Sequence, residues 1–399
     1  MNLLSIASFA QAHRGEDAVR LLLQRDRYPD IDLPLVAQQL EALATAPAKW
    51  PSLAACPTVV YPPRINREQS SSEATARYKA SLVDGSLGPA ADLTGGMGID
   101  TLFIARRVNQ MHYCEQDTDL CRLAAHNFAV LGQENIDIHV GDSIGWLQSQ
   151  PEGSLGTIFI DPARRDSHGG RVVAFEDCTP DILHLMPLLR NRARQLLIKA
   201  SPMLDIRTAL SRLGGVSEVH IVAVGGECKE LLFLTGDGET HFVCVNMRPD
   251  GQDRHRFTLA EEEAARCPLA DKVQRYLYEP HASLMKGGCY RLIGQWYGLD
   301  ALDRNSHLYT SDQLIVNFPG RTFEVLARTS PSAKAVKQFF PNGKAHVVCR
   351  NFPLRADLLQ KQLRLREGGD NFLIATSHLG HLTALVCRPL CNDPEKDRK

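Results

Sequence analysis

Three glycines fall within four positions in the stretch A-D-L-T-G-G-M-G-I-D, residues 91–100, behind an apolar lead-in and one carboxylate at Asp92. Glycine at such a turn lets backbone approach a ligand beyond the end of a strand, which is where open α/β sheets bind nucleotides. Three readings compete: a loop against the phosphates of a dinucleotide, a loop holding another adenosine-containing cofactor, or a structural turn. A nicotinamide loop wants G-x-G-x-x-G, and Gly96 and Gly98 are followed by Thr101 where the third glycine belongs. That loop also faces pyrophosphate, against which an upstream carboxylate is no help. Asp92 suits instead the amino end of a cationic ligand without phosphates, and S-adenosylmethionine (SAM) has such an end beside its sulfonium.

The residues that follow fit the same ligand. Glu115 closes a second apolar run, 23 residues after Asp92, where an acidic side chain accepts ribose hydroxyls. Asp142, in V-G-D-S after a third run, is placed for the adenine amino group. D-P-A-R-R, residues 161–165, follows a fourth run at the position that faces the sulfonium methyl. The candidate cofactor residues are Asp92, Thr94, Gly95, Gly96, Met97, Gly98, Glu115, Gln116, Asp142 and Ser143, and the candidate catalytic residues are Asp161, Pro162, Ala163, Arg164 and Arg165. Plainer readings stand beside these. Asp142 by itself is a helix cap, and the arginines could pair with neighbours such as Asp166. Cys178 could be a nucleophile for methylation at a pyrimidine carbon, yet no base frames it and it reads as a small buried residue. His378, His381, Cys387 and Cys391 are spaced H-x2-H-x5-C-x3-C. A hairpin would scatter these four side chains, so no metal is expected.

The elements that must position these residues follow from size and pattern. With 399 residues, 44% of them hydrophobic, the chain is long enough for two to four domains. The first 55 residues read as amphipathic helices; residues 61–70 read as a proline and polar linker, and Ser70 with Glu73 as a capping box. From Ala90 short apolar runs at 90–94, 110–115, 136–140, 156–160, 195–199 and 217–224 alternate with helical patterns, and a hairpin is expected to turn at residues 236–238. That rhythm predicts a parallel α/β sheet closed by an antiparallel pair. Residues 271–286 read as a helix around a proline break, and from Phe323 strands and helices alternate again. The expected domains are 1–80 (helical region and linker), 81–247 (α/β domain), 248–318 (small α+β region) and 319–392 (basic domain). The formal net charge is −1, but residues 321–399 hold 14 Lys and Arg against 7 Asp and Glu, a local +7. Eleven cysteines without a C-x-x-C pair read as a reduced, cytoplasmic chain, and no run is long enough to span a membrane.

Residues 88–247 resemble class I SAM-dependent methyltransferases, and among them the nucleic-acid enzymes that include trimethylguanosine synthases, on the pieces ADLTGGMGIDT, YCEQDTDLCRLAAHNF, VGDS and IFIDPARR. QSSSEATARYKA, YLYEPHASLMK, KQFFPNGKAHVVCRNFP and LRLREGGDNFLIATS resemble a bacterial family of such enzymes whose C-terminal part is THUMP-like, THUMP being a tRNA-binding module. The resemblance implies a Rossmann-like, seven-stranded class I methyltransferase sheet with an antiparallel final hairpin, an N-terminal helical cap, and C-terminal α+β modules, ferredoxin-like and THUMP-like. It implies SAM as cofactor but brings no known substrate; the local +7 of residues 321–399, with that region's resemblance to an RNA-binding module, points to structured RNA, ribosomal or transfer, as partner. Amino-methylating relatives carry Asn, Asp or Ser, then Pro-Pro and an aromatic that stacks on the base; Ala163 and Arg164 replace the second proline and the aromatic. The expected function is methylation of an exocyclic amine in RNA. The alternatives are a protein methyltransferase and a SAM-binding, RNA-binding module without catalysis.

Overall fold

The computed structural model describes residues 3–164, 175 and 178–390, Arg164 by its backbone alone. The chain divides into two compact units, Met1–Glu218 with Leu231–Gly238, and Val219–Glu230 with Glu239–Lys399.

The first unit opens with six helices: α1 (Leu3–Ala12), α2 (Ala18–Leu22), α3 (Leu33–Lys49), α4 (Pro51–Ala54), α5 (Arg64–Gln69) and α6 (Glu73–Ser81). Asp32 caps α3 by accepting from the Leu35 amide, and the helix buries Val36, Leu40 and Leu43, the apolar face its spacing predicts. Two expectations are corrected. The stretch 61–70 contains α5, whose Arg67 alone is buried, because its carbonyl accepts from the Lys49 ammonium at 2.6 Å and its guanidinium lies 3.6 Å from Glu41, both on α3, while Arg64 and Glu68 face water. The Ser70–Glu73 capping box does not form. Ser72 caps α6 through the Thr75 amide at 3.3 Å, and the Glu73 carboxylate turns to the Ser52 amide and hydroxyl, both at 2.8 Å. A carboxylate this buried needs donors, and the start of α4 offers two.

Strands and helices then alternate: β1 (Ala90–Asp92), α7 (Ile99–Ala105), β2 (Met111–Glu115), α8 (Thr118–Val130), β3 (Ile136–Val140), α9 (Ser143–Ser149), β4 (Leu155–Ile160), β5 (Ala163–Arg164), β6 (Cys178–Thr179), α10 (Ile182–Arg192), β7 (Ala193–Ala200), α11 (Ile206–Leu213), β8 (Val216–Val224) and β9 (Glu227–Thr235). β1 lies parallel between β2 and β4, β3 joins β2, and β7 joins β4. The sheet order is β3-β2-β1-β4-β7-β9-β8, continued by β10 (His241–Arg248) and β11 (Gly251–Thr258). β9 runs antiparallel to β7. The hairpin therefore turns at Gly225 and Gly226, both at positive φ as a two-residue turn requires, and residues 236–238 connect strands that are not neighbours. Strand order reverses on either side of β1, which leaves a crevice at the carboxyl ends of β1 and β4.

In the second unit α12 (Leu259–Ala264) follows β11, and a seven-stranded sheet is built from β12 (Tyr276–Pro280), α13 (Ala282–Gly287), α14 (Arg291–Tyr297), β13 (Asp300–Ala301), β14 (Tyr309–Ser311), β15 (Gly320–Thr329), α15 (Ala333–Lys337), β16 (His346–Cys349), α16 (Ala356–Gln362), β17 (Phe372–His378) and β18 (His381–Leu390). The sheet order is β13-β14-β12-β15-β18-β17-β16. The expected helix across 271–286 is half strand: Tyr276, Leu277 and Tyr278 pair with both β14 and β15, and the helix begins only after Pro280. β12 is a central strand, and its aromatic run suits a sheet better than a helix. α15 and α16 lay Val336, Leu359 and Leu363 against Leu373, Ala375, Ala384 and Val386 of β17 and β18.

Candidate functional site

The carboxyl ends of β1, β2, β3, β4 and β7 share one edge of the larger sheet, and the residues singled out in the sequence arrive there. Asp92 ends β1, 1% exposed, beneath the glycine loop. Its Oδ1 accepts from the Thr94 amide at 3.0 Å and hydroxyl at 3.3 Å, and its Oδ2 accepts from the Thr101 hydroxyl at 2.6 Å. Burial pushes this carboxyl up to about 7, against the pull of the Thr101 and Thr94 donors. Asp92 thus braces the loop from below. Above it, Gly96 and Gly98 take positive φ of 53° and 78°, and a Cβ at Gly95 would stand 2.3 Å from the Tyr113 ring. The Tyr113 hydroxyl donates to the Gly96 carbonyl at 2.7 Å, so the loop is strung over an aromatic ring of β2. Met97 is buried in the loop.

Glu115 ends β2. Its Oε2 accepts from the Gly96 amide at 2.8 Å, and its Oε1 from the Gln116 and Asp117 amides at 2.7 and 2.9 Å. Three of roughly four lone-pair directions of the carboxylate are taken, leaving one on Oε2 for a ligand hydroxyl. The Gly141 amide donates to the Glu115 carbonyl at 2.8 Å, bringing the start of α9 beside it. There Asp142 is exposed and caps α9 through the Ile144 amide at 3.0 Å, while Ser143 is buried and Gln116 exposed.

Asp161 follows β4. Its amide donates to the Thr94 hydroxyl at 2.8 Å, so a single threonine ties the glycine loop to the D-P-A-R motif. Its Oδ2 accepts from the Lys199 ammonium, and the Asp161 side chain stays 34% exposed, open at Oδ1. Lys199 was not singled out in the sequence, because its signal is a register between two strands and not a pattern within one. Ile160 and Ile198 pair in the parallel register of β4 and β7, which puts the next residues, Asp161 and Lys199, side by side. A second lysine lies nearby: burial, then the Lys199 charge, lower Lys49 to about 8, and its ammonium donates to the Arg67 carbonyl at 2.6 Å. Ala163 pairs with Thr179 and Arg164 with Cys178 across β5 and β6, so chain 17 residues beyond Asp161 returns beside the motif. Arg165 lies outside the described residues.

His378 and His381 face each other at the ends of β17 and β18, around a turn at Leu379 and Gly380. His378 is buried with its Nε2 against the Ala270 carbonyl at 2.9 Å, His381 is exposed, and Cys387 is buried on β18, so these three do not converge; Cys391 lies outside the described residues. Every described cysteine is free, and no described helix is long and apolar enough to cross a membrane.

Residues 276–319 match a ferredoxin-like domain family and residues 320–389 a THUMP domain-like family. In the structure these two segments share one sheet, β12 pairing with β15 from Tyr276 to Pro280. No curated protein matches the sequence. Among solved structures, a protein of Porphyromonas gingivalis W83 classed as a methyltransferase is similar at 32% identity, over 97% of this chain and 98% of that one, with a TM-score of 0.84. An rRNA methylase of Streptococcus thermophilus is 13% identical over 41% of this chain and 96% of its own, TM-score 0.32. An Agrobacterium tumefaciens protein described as an O-methyltransferase is 16% identical over 42% of this chain and 84% of its own, TM-score 0.30.

Proposed function

We propose, from the premise that this chain belongs to the class I SAM-dependent methyltransferases with a C-terminal THUMP-like domain, that it methylates an exocyclic amine of a base in structured RNA, ribosomal or transfer RNA. The residues at the sheet edge suit the family's cofactor, since the left-handed glycines open the loop and Glu115 and Asp142 each keep acceptor capacity. When bound, SAM supplies an activated methyl group on its sulfonium.

The chain's own work is alignment, because displacement at such a carbon asks for little acid–base help. Thr94 fixes the distance between the glycine loop and Asp161. Lys199 holds one oxygen of Asp161, leaving Oδ1 to accept from the target amine and orient its lone pair toward the methyl group. The Pro162 carbonyl is a second acceptor. Arg164, by its planar guanidinium, replaces the missing aromatic as a stacking surface for the base.

The observation that carries the substrate class lies in residues 320–389. Lys334 and Lys337 of α15, Lys344, Lys361 of α16, Arg364 and Arg366 are all exposed, and none forms an ion pair with a described residue. Exposed cations left unpaired along one segment supply the sequence-independent part of nucleic-acid affinity. The test is to incubate the protein and labelled SAM with RNA from cells lacking it, digest, and identify the labelled nucleoside. A labelled N2-methylguanosine or N6-methyladenosine supports amine chemistry at Asp161. Label on a pyrimidine carbon overturns it in favour of Cys178, and label on protein alone overturns the RNA reading.

A further inference from the structure

The β3 edge of the larger sheet carries a second constellation that the proposed reaction does not use. β2 and β3 lie parallel with His112 opposite Asp137 and Cys114 opposite His139. Asp137 and His139 are two residues apart on the edge strand, so they share a face, and the register places His112 on that face too. The His112 Nδ1 stands 3.1 Å from the His139 Nε2 and 3.7 Å from the Asp137 Oδ2, and one donor atom from each of the three residues lies within 4.8 Å of the others. Among the described residues this is the one group of three or more such side chains that converges.

We propose that His112, Asp137 and His139 bind a zinc-class divalent cation that cross-links the edge strand β3 to β2. Ligand bonds of about 2.0–2.2 Å in a tetrahedral site put donor atoms about 3.3–3.6 Å apart, so the 3.1 and 3.7 Å spacings of His112 to His139 and to Asp137 need shifts of only a few tenths of an ångström, and the third pair, within 4.8 Å, closes by rotation of the exposed Asp137 side chain. Two imidazoles with one carboxylate suit Zn2+, Co2+ or Ni2+, whereas Mg2+ and Ca2+ want an all-oxygen shell. The site is braced from α9: the Trp146 ring packs 5.1 Å from the His112 ring and 4.7 Å from the His139 ring, centroid to centroid. Asp137 is 58% exposed, which leaves a fourth position for water.

Trp146 makes the proposal testable without any methyl-transfer assay. Full-length protein, first dialysed against a chelator, is titrated with Co2+ while tryptophan emission and visible absorbance are followed. One equivalent of Co2+ is expected to quench emission that the Trp146→Phe variant lacks, and stoichiometric Zn2+ to reverse the quenching. Asp137→Asn, a near-isosteric change at an exposed position, should weaken binding by at least about tenfold, and His139→Gln likewise. The proposal is overturned if Co2+ causes no quenching dependent on Trp146, if both variants bind as tightly as the parent, or if absorbance shows cysteine thiolate as the ligand.

Discussion

At the scale of single residues, the site depends on two carboxylates held in opposite ways. Asp161 is tied by Lys199 on one oxygen and open on the other, so in the proposed reaction Lys199 would be a positioning residue. Replacing it with Met should leave SAM affinity by calorimetry unchanged, because Lys199 lies beyond the glycine loop. Turnover should fall on the order of 10²-fold, the usual cost of misplacing a reacting group. Equal loss of SAM binding would place Lys199 in the cofactor site instead. Asp92 is closed on both oxygens and sits in a dry environment that favours its protonated form. A carboxyl raised from 3.8 to about 7 contributes stability that is fully present below pH 4 and lost as pH rises to 7. Asp92→Asn keeps a neutral group there at every pH. The urea midpoint of the variant relative to the parent should therefore climb between pH 4 and 7 and then level off; a constant difference would mean that Asp92 stays ionised.

At the scale of elements, the strand ends and the loops they carry are locked by backbone hydrogen bonds that make single changes costly. Glu115 accepts from the Gly96, Gln116 and Asp117 amides, so it shapes the loop as well as offering a ligand acceptor. Glu115→Ala should weaken SAM binding by about 1.5–3 kcal/mol, the worth of hydrogen bonds to a charged group, and should lower the melting temperature without SAM too. A drop in affinity with unchanged melting would assign it to the ligand alone. Gly95→Ala is sharper, because the new methyl would stand 2.3 Å from the Tyr113 ring, in a loop whose neighbours have fixed positions. A loss of about 1–3 kcal/mol in stability is expected from such overpacking, with relief when Tyr113→Leu is added to it, both read by thermal denaturation.

At the scale of the whole molecule, the two C-terminal family segments cannot be treated as beads on a string. β12 of the ferredoxin-like segment pairs with β15 of the THUMP-like segment, and Leu277 and Leu302 share a core with Phe323, Ile374 and Leu385. Cutting the chain at 319 would strip that core, so loss of RNA binding in such a truncation would report unfolding. Charge removal is the sounder probe. Changing Lys334, Lys337, Lys344 and Lys361 together to Gln should leave the melting temperature and SAM affinity intact, since all four are exposed. RNA affinity should fall, and the slope of log affinity against log salt should become shallower by about 0.7–0.9 for each phosphate that a lysine no longer neutralises. An unchanged salt slope would remove this face from the RNA reading.

The sequence by itself determined the alternation of strands and helices, the glycine loop after β1 and the acidic residues after β1 to β4, because these are local matters of apolar spacing, turn chemistry and order along the chain. It also carried the split between an acidic body and a basic C-terminal segment, which is a matter of composition. Only the tertiary structure decided that β9 enters between β7 and β8, that residues 276–280 form a central strand, and that Ser72 caps α6 in place of Ser70. Each depends on partners distant in the chain: a strand needs neighbours to be central, and a carboxylate such as Glu73 goes to the donors that burial leaves it. The pairing of Lys199 with Asp161 and the meeting of His112, Asp137 and His139 belong to the same class. Parallel register, set by hydrogen bonds between strands separated by whole helices, brings these side chains together, and no periodicity within one strand records which residue will stand opposite.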